Sequence, residues 1–156
     1  MAAFRKFIAI TIGTFLYVGF LPFIPGTFGS IAGLFVFYLI KDNAVAYLLS
    51  TLTVIILGFL VSGEAEKALN KKDARPIVID EVSGMLLSLL FLPYDLRLVI
   101  IGFFIFRLLD TLKPYPAFEL QKLKGSAGVM CDDIVAGIYT NIILQVVLRF
   151  ASFRTS

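Results

Sequence analysis

The 156-residue chain contains no histidine. That removes histidine-ligated zinc, an imidazole general base and a phosphohistidine intermediate from its chemistry. Its single cysteine, Cys131, rules out an intrachain disulfide. Charge is scarce: 16% of residues are Asp, Glu, Lys or Arg, against roughly 25% in ordinary soluble domains. No basic stripe interleaved with aromatics points to nucleic acid. Tandem repeats and low-complexity tracts are missing as well. What fills the chain is apolar: 59% hydrophobic residues and a mean hydropathy of +0.94. A soluble domain of this length could not bury so much apolar surface. The sequence therefore predicts one integral membrane domain over residues 1–156, all-α and multi-pass. Arg5 and Lys6 precede an apolar run as in a signal peptide. No small-residue cleavage site follows, so the segment is expected to belong to the mature protein.

Five apolar segments stand out: Ile31–Ile40, Ala44–Ser62, Val82–Leu92, Leu96–Leu109 and Ile134–Phe150. Ala44–Ser62 is close to the ~20 residues that a bilayer requires. The short ones imply tilt, local thinning or burial within a small bundle. Phe7–Phe20, with Gly13, Gly19, Pro22 and Pro25 in and after it, reads either as a crossing or as an interfacial or re-entrant helix. If the five segments cross in turn, with turns at Lys41–Asn43 and Pro93–Asp95, one face collects the polar connections. Only Asp42 and Asp95 of the eleven acids fall on the other face. The polar face carries Lys67, Lys71, Lys72, Arg75, Arg107, Lys113, Lys122 and Lys124, and the opposite face Lys41, Arg97, Arg149 and Arg154. Eight against four makes the polar face cytoplasmic by the positive-inside tendency. An interfacial Phe7–Phe20 would add Arg5 and Lys6 to that majority.

Two acid pairs open apolar runs: Asp80–Glu81 in "IVIDEVSGMLLSLLFL" and Asp132–Asp133 in "GVMCDDIVAGIYTNIILQVVL". A carboxylate near hydrocarbon costs roughly 2.5–3.5 kcal/mol on insertion scales. The plain explanation is helix capping, in which acids satisfy free N–H groups and the dipole at a helix start. The functional one is a hard cation. Asp80 or Glu81, Asp110, and Asp132 or Asp133 come from three segments on one face, and Mg²⁺ prefers such oxygen ligands together with water and phosphate.

Two further stretches fit phosphate chemistry. "PGTFGS" (Pro25 to Ser30) pairs Gly26 and Gly29 with Thr27 and Ser30 ahead of an apolar helix. It can cradle a phosphate on backbone amides or can simply be a turn with Ser30 as N-cap. "FRLLDTLKPYPA" spaces Arg107, Asp110 and Lys113 three apart before Pro114 and Pro116. Its basic residues can neutralise phosphate beside Asp110 or snorkel at a helix end. Cys131 is followed by two aspartates, which oppose a thiolate, and is read as an apolar filler.

Taken together, "PGTFGS", "IVIDEVSGM", "RLLDTLKPYP" and "GSAGVMCDDIVAG" resemble, in order, the motifs of the phosphatidylglycerophosphatase A family. The resemblance runs from Pro25 to Gly137. It implies a helical bacterial inner-membrane enzyme, dependent on Mg²⁺, that hydrolyses phosphatidylglycerophosphate to phosphatidylglycerol and phosphate. It implies catalytic and metal-binding roles for Asp80, Glu81, Asp110, Asp132 and Asp133, and substrate-binding roles for Gly26, Thr27, Gly29, Ser30, Arg107 and Lys113. The expected partners are that lipid and the bilayer. Another lipid phosphatase, such as an undecaprenyl-pyrophosphate phosphatase, also combines acids with a small-residue loop. A cation channel or small transporter is disfavoured because no acid lies at mid-span.

Overall fold

The computed structural model describes residues 2–154, and side chains over residues 3–150. The Arg154 side chain, used in the charge count, lies outside that range, as do Met1, Thr155 and Ser156. The described chain is all helical: α1 (Ala2–Gly13), a 3-10 turn (Val18–Phe20), α2 (Pro25–Ile40), α3 (Ala44–Leu69), α4 (Ile79–Ser88), α5 (Leu96–Leu112), α6 (Ala117–Leu120) and α7 (Ser126–Arg154).

Helix α4 is the axis of the bundle. It packs against α2, α3, α5 and α7, and Ile79, Asp80, Val82, Ser83, Gly84, Met85, Leu86 and Ser88 are all buried. At 10 residues it spans only about 15 Å, half of a hydrocarbon core. Its end therefore leaves carbonyls that no water can reach. Neighbouring helices satisfy them. Tyr47 Oη donates to Leu86 O at 2.5 Å, and Asn141 Nδ2 donates to Ser88 O and Leu90 O at 3.2 and 2.8 Å.

Closeness between α4 and α7 comes from two glycines. A Cβ on Gly84 would lie 2.7 Å from Asp133 O, and one on Gly137 would lie 2.5 Å from Gly84 O. Each glycine sits four residues after an acid, Asp80 or Asp133. The crossing that only small residues permit thus brings the two acid-bearing turns together.

The exterior is greasy. Ile56, Phe104 and Ile142 are exposed among many large apolar side chains. Helices α3 and α7 contain apolar spans long enough to cross a bilayer, Ala44–Leu69 and Ser126–Phe150, with only 22% and 33% of their apolar windows buried inside the protein. Side chains that find no protein partner along a span face lipid, and the molecule is a small helical membrane protein.

At the end away from the acids, Lys41 Nζ sits 4.4 Å from the Tyr94 ring centre and 5.4 Å from that of Tyr38. The turns at 41–43 and 93–95 therefore meet. Asn43 caps α3 through Ala46 N, and Asp95 caps α5 through Arg97 N.

Candidate active site

At the opposite end, the N-terminal turns of α2 and α4, the C-terminal turn of α5 and the second turn of α7 enclose a polar cavity of about 320 Å³. Its lining includes Gly26, Thr27, Asp80, Glu81, Arg107, Asp110, Lys113, Asp132 and Asp133.

The five acids are not equivalent. Asp110 accepts from Arg107 Nη1 at 2.6 Å, one helical turn away. Asp132 accepts from Lys113 Nζ. By contrast Asp80, Glu81 and Asp133 each present an oxygen within 4.8 Å of the others. Asp80 and Asp133 are almost wholly buried, at 6% and 3% exposure. Glu81 Oε2, Asp133 Oδ1 and Asp132 Oδ1 are buried without a hydrogen-bond partner. Unpaired carboxylate oxygens facing one another in a buried site repel strongly. Burial pushes the Glu81 carboxyl up to about 8; the bond to Asp80 pulls the other way, and the charges of Asp133 and Asp110 add to the rise. Asp80, also buried and beside Glu81, is raised too.

Capping does not account for the cluster. Asp132 and Asp133 lie beyond the first turn of α7, and Asp110 lies in the last turn of α5, where the dipole disfavours an acid. Only Asp80 and Glu81 occupy a first turn, in which Glu81 N donates to Asp80 Oδ1 at 3.1 Å.

The cations are held in place. Lys113 is the C-cap of α5 in left-handed conformation, φ 47°, and Pro114 prevents the helix from continuing. That turn points its ammonium at Asp132. Burial opposes the Lys113 charge, but the bond to Asp132 and the nearby Asp133 and Asp110 outweigh it and hold the group above its ordinary value. Lys113 is therefore a fixed cation. Gly26 makes room for the rest: a Cβ there would lie 2.4 Å from Glu81 Oε1 and 3.2 Å from Arg107 Nη1.

"PGTFGS" forms the start of α2 itself. Pro25 opens the helix after Ile24, so Ser30 is not its N-cap. Ser30 Oγ instead donates to Gly26 O at 3.0 Å, and Ser30 is fully buried. Gly26 and Thr27 line the cavity. Gly29 and Ser30 stand behind it, Gly29 against Val78 and Glu81. Cys131 is partly buried and does not line the cavity.

Ile24, Asp73, Arg75, Ile77 and Gln121 also line the cavity. Gln121 Nε2 donates to Asp73 Oδ2 at 3.0 Å across the mouth. Arg75 and Gln121 were not among the sequence candidates. They sit in loop and short-helix sequence with no periodicity to flag them, and only the tertiary fold places them here.

The phosphatidylglycerophosphatase A family matches residues 11–148, which includes every residue of this cavity. A Bacteroides thetaiotaomicron protein named "Putative phosphatidylinositol-3-phosphatase" is 33% identical over 150 residues, covering 90% of this chain and 94% of its own. Phosphatidylglycerophosphatase A of Escherichia coli is 37% identical over 129 residues, covering 81% of this chain and 75% of its own. That of Haemophilus influenzae is 32% identical over 124 residues, covering 77% and 76%. No solved structure matches the chain. A cavity that combines clustered acids with fixed cations suits phosphate ester hydrolysis, and with these matches it shows that the chain is a phosphoric monoester hydrolase belonging to the phosphatidylglycerophosphatase A family.

Proposed function

We propose that the protein hydrolyses the terminal phosphomonoester of phosphatidylglycerophosphate, with Mg²⁺ as cofactor, at the cytoplasmic face of a bacterial inner membrane that it crosses several times. The observation that carries this reading is the division of labour among the acids. Asp80, Glu81 and Asp133 converge, with Glu81 Oε2 and Asp133 Oδ1 unpaired, while Asp110 and Asp132 each hold a cation.

The donor set fits a hard divalent cation. It is all oxygen and comes from two helices, and it leaves coordination positions for water and phosphate. Asp80, Glu81 and Asp133 would hold the ion, which would supply positive charge to the phosphoryl oxygens and make a water a better nucleophile. The remaining work falls to the chain. Arg107 and Lys113 face the same cavity and bind phosphate oxygens, and Asp110 and Asp132 fix their positions. The free amides at the start of α2, around Gly26 and Thr27, add donors without adding charge. Gly29 supports this turn by its close approach to Val78, and Ser30 by bonding Gly26 O.

With the other acids committed, Asp132 Oδ1 is the carboxylate oxygen free to accept the proton of the attacking water. The water oxygen bonds to phosphorus as the bond from phosphorus to the glycerol oxygen breaks. The leaving oxygen takes a proton relayed from Asp132 through water at the cavity mouth, which restores the carboxylate and gives an alcohol and inorganic phosphate.

Phosphate release from purified, metal-stripped protein tests both substrate and cofactor. The substrates are phosphatidylglycerophosphate, phosphatidylinositol 3-phosphate and undecaprenyl pyrophosphate. Turnover of the first, lost with a chelator and restored by Mg²⁺, is expected. Faster turnover of either alternative would reassign the substrate, and full activity without divalent metal would sink the metal assignment.

A further inference from the structure

Helix α1 is too short to cross a bilayer, and both its ends lie beside one short stretch of α3. Its 12 residues span about 18 Å, against a hydrocarbon core of about 30 Å. Near its start, Arg5, Ile8 and Ala9 share a groove with Leu60, Val61 and Glu64 of α3. At its end, Gly13 packs on Ala65 and Val61 of the same helix. The groove at Arg5 and the packing of Gly13 thus both involve residues 60–65 of α3, a rise of about 7.5 Å. Both ends of α1 therefore lie near one level of α3, and the helix stays near one depth.

That depth is the depth of the active site. Gly13 O accepts from Val78 N at 3.0 Å, two residues before Asp80. The chain then turns sharply instead of continuing. Phe15, Leu16 and Tyr17 all have positive φ, at 46°, 56° and 67°, a conformation that bulky residues adopt only when the surroundings enforce it. The following turn is clamped to the extended segment that leads to Asp80. A Cβ on Gly19 would sit 1.9 Å from Pro76 O, so only glycine fits against that backbone.

What this clamped turn shows to its surroundings is apolar. Leu16, Tyr17, Phe20, Leu21, Phe23 and Ile24 are exposed, Phe23 to 92%. Phe4 and Phe7 of α1 are exposed beside the charged Arg5 and Lys6. The segment ends at Ile24 and Pro25, on the lip of the phosphate cavity. Apolar rings next to basic side chains, on a helix lying at one depth, are the pattern of an element seated between headgroups and acyl chains.

We infer that α1 and residues 14–24 lie in the plane of the membrane, inserted into the headgroup–acyl boundary of the leaflet that the active site faces. They form an apolar lip over which a lipid enters while its acyl chains stay in the bilayer. The lipid-facing side of α3 meets this surface at Leu60, which is exposed in the groove that Arg5 and Ile8 also line, so bilayer is its occupant. The arrangement keeps Arg5 and Lys6 on the active-site face.

The chain contains no tryptophan, so one introduced tryptophan reports alone. Phe7→Trp, Phe23→Trp and Ile56→Trp would each be reconstituted in phosphatidylcholine–phosphatidylglycerol vesicles. The vesicles carry lipids brominated either near the headgroup end of the acyl chain or near its methyl end. All three residues are exposed to the protein's surroundings, so none of the changes disturbs the core. Stronger quenching of Phe7→Trp and Phe23→Trp by the shallow label, with the order reversed for mid-span Ile56→Trp, is expected. Stronger quenching of Phe7→Trp by the deep label would mean that α1 crosses. Unquenched, water-like emission from Phe23→Trp would place the lip outside the membrane, and unquenched but blue-shifted emission would mean that a second copy of the chain covers it. Each of those results overturns the inference. The readout needs no turnover, so it stands or falls separately from the substrate assignment.

Discussion

Asparagine at Asp80, Asp110 or Asp133 keeps the side-chain shape and one acceptor oxygen but removes a charge. At Asp80 and Asp133 that relieves repulsion between buried carboxylates, so the fold should tolerate the change while cation binding is lost. At Asp110 the partner Arg107 loses the negative charge that fixes it. Each variant is expected to lose turnover by ~100-fold or more, measured as phosphate release per folded, detergent-solubilised protein. Cys131→Ala should stay near wild type, because no basic group activates that thiol and it does not line the cavity. Active aspartate variants, or a dead Cys131→Ala, would show that the site is misplaced. Gly26→Ala is a sharper steric probe. Its methyl would intrude on Glu81 and Arg107 at once, so activity should collapse with little change in thermal stability. The sequence contained all of these residues, but not their division into cation-facing and cation-holding acids. Spacing along a chain cannot say which of two adjacent carboxylates meets a lysine from another helix.

At the scale of helices, the site depends on how closely α4 approaches α7. Gly137→Val would push its side chain into Gly84 O and the Leu87 Cβ. Overpacking of this kind costs about 1–3 kcal/mol. Because Asp133 lies one turn before Gly137, the same displacement would separate Asp133 from Asp80 and Glu81. Thermal stability and turnover should therefore fall together, whereas Gly26→Ala affects turnover alone. An unchanged melting temperature in Gly137→Val would mean that the crossing is looser than it looks. The apolar segments were legible in the sequence because hydropathy alone marks them. Their polar ends were not. Helix α3 runs on past Ser62 to Leu69, and α7 begins at Ser126, well before Ile134. In both cases the helix continues through charged residues that a hydropathy reading assigns to loops. "PGTFGS" was read as preceding its helix for a related reason: its glycines look like a turn, but Pro25 at the first helical position and the Ser30 bond to Gly26 O make it the first turns of α2.

For the whole molecule, the proposed topology puts the active-site end and the Lys41–Tyr94 end on opposite sides of the bilayer, with the apolar helices α3 and α7 running between them. Which end faces the cytoplasm rests on the distribution of basic residues. With α1 in the plane of the active-site face, Arg5 and Lys6 join the eight already there, against Lys41, Arg97 and Arg149 among the described side chains of the other. Accessibility of single cysteines in intact bacterial cells tests the orientation, and the structure guides where to put them. Ala74 is buried and would resist labelling on either side, whereas Lys71 and Ala44 are exposed at opposite ends. On a Cys131→Ala background, Ala44→Cys should react with an impermeant maleimide, and Lys71→Cys should react only after the membrane is permeabilised. The reverse pattern would put the active site outside the cell. Labelling of both sites in intact cells would mean that the insertion has no fixed orientation, and the basic majority would then not be what sets the topology.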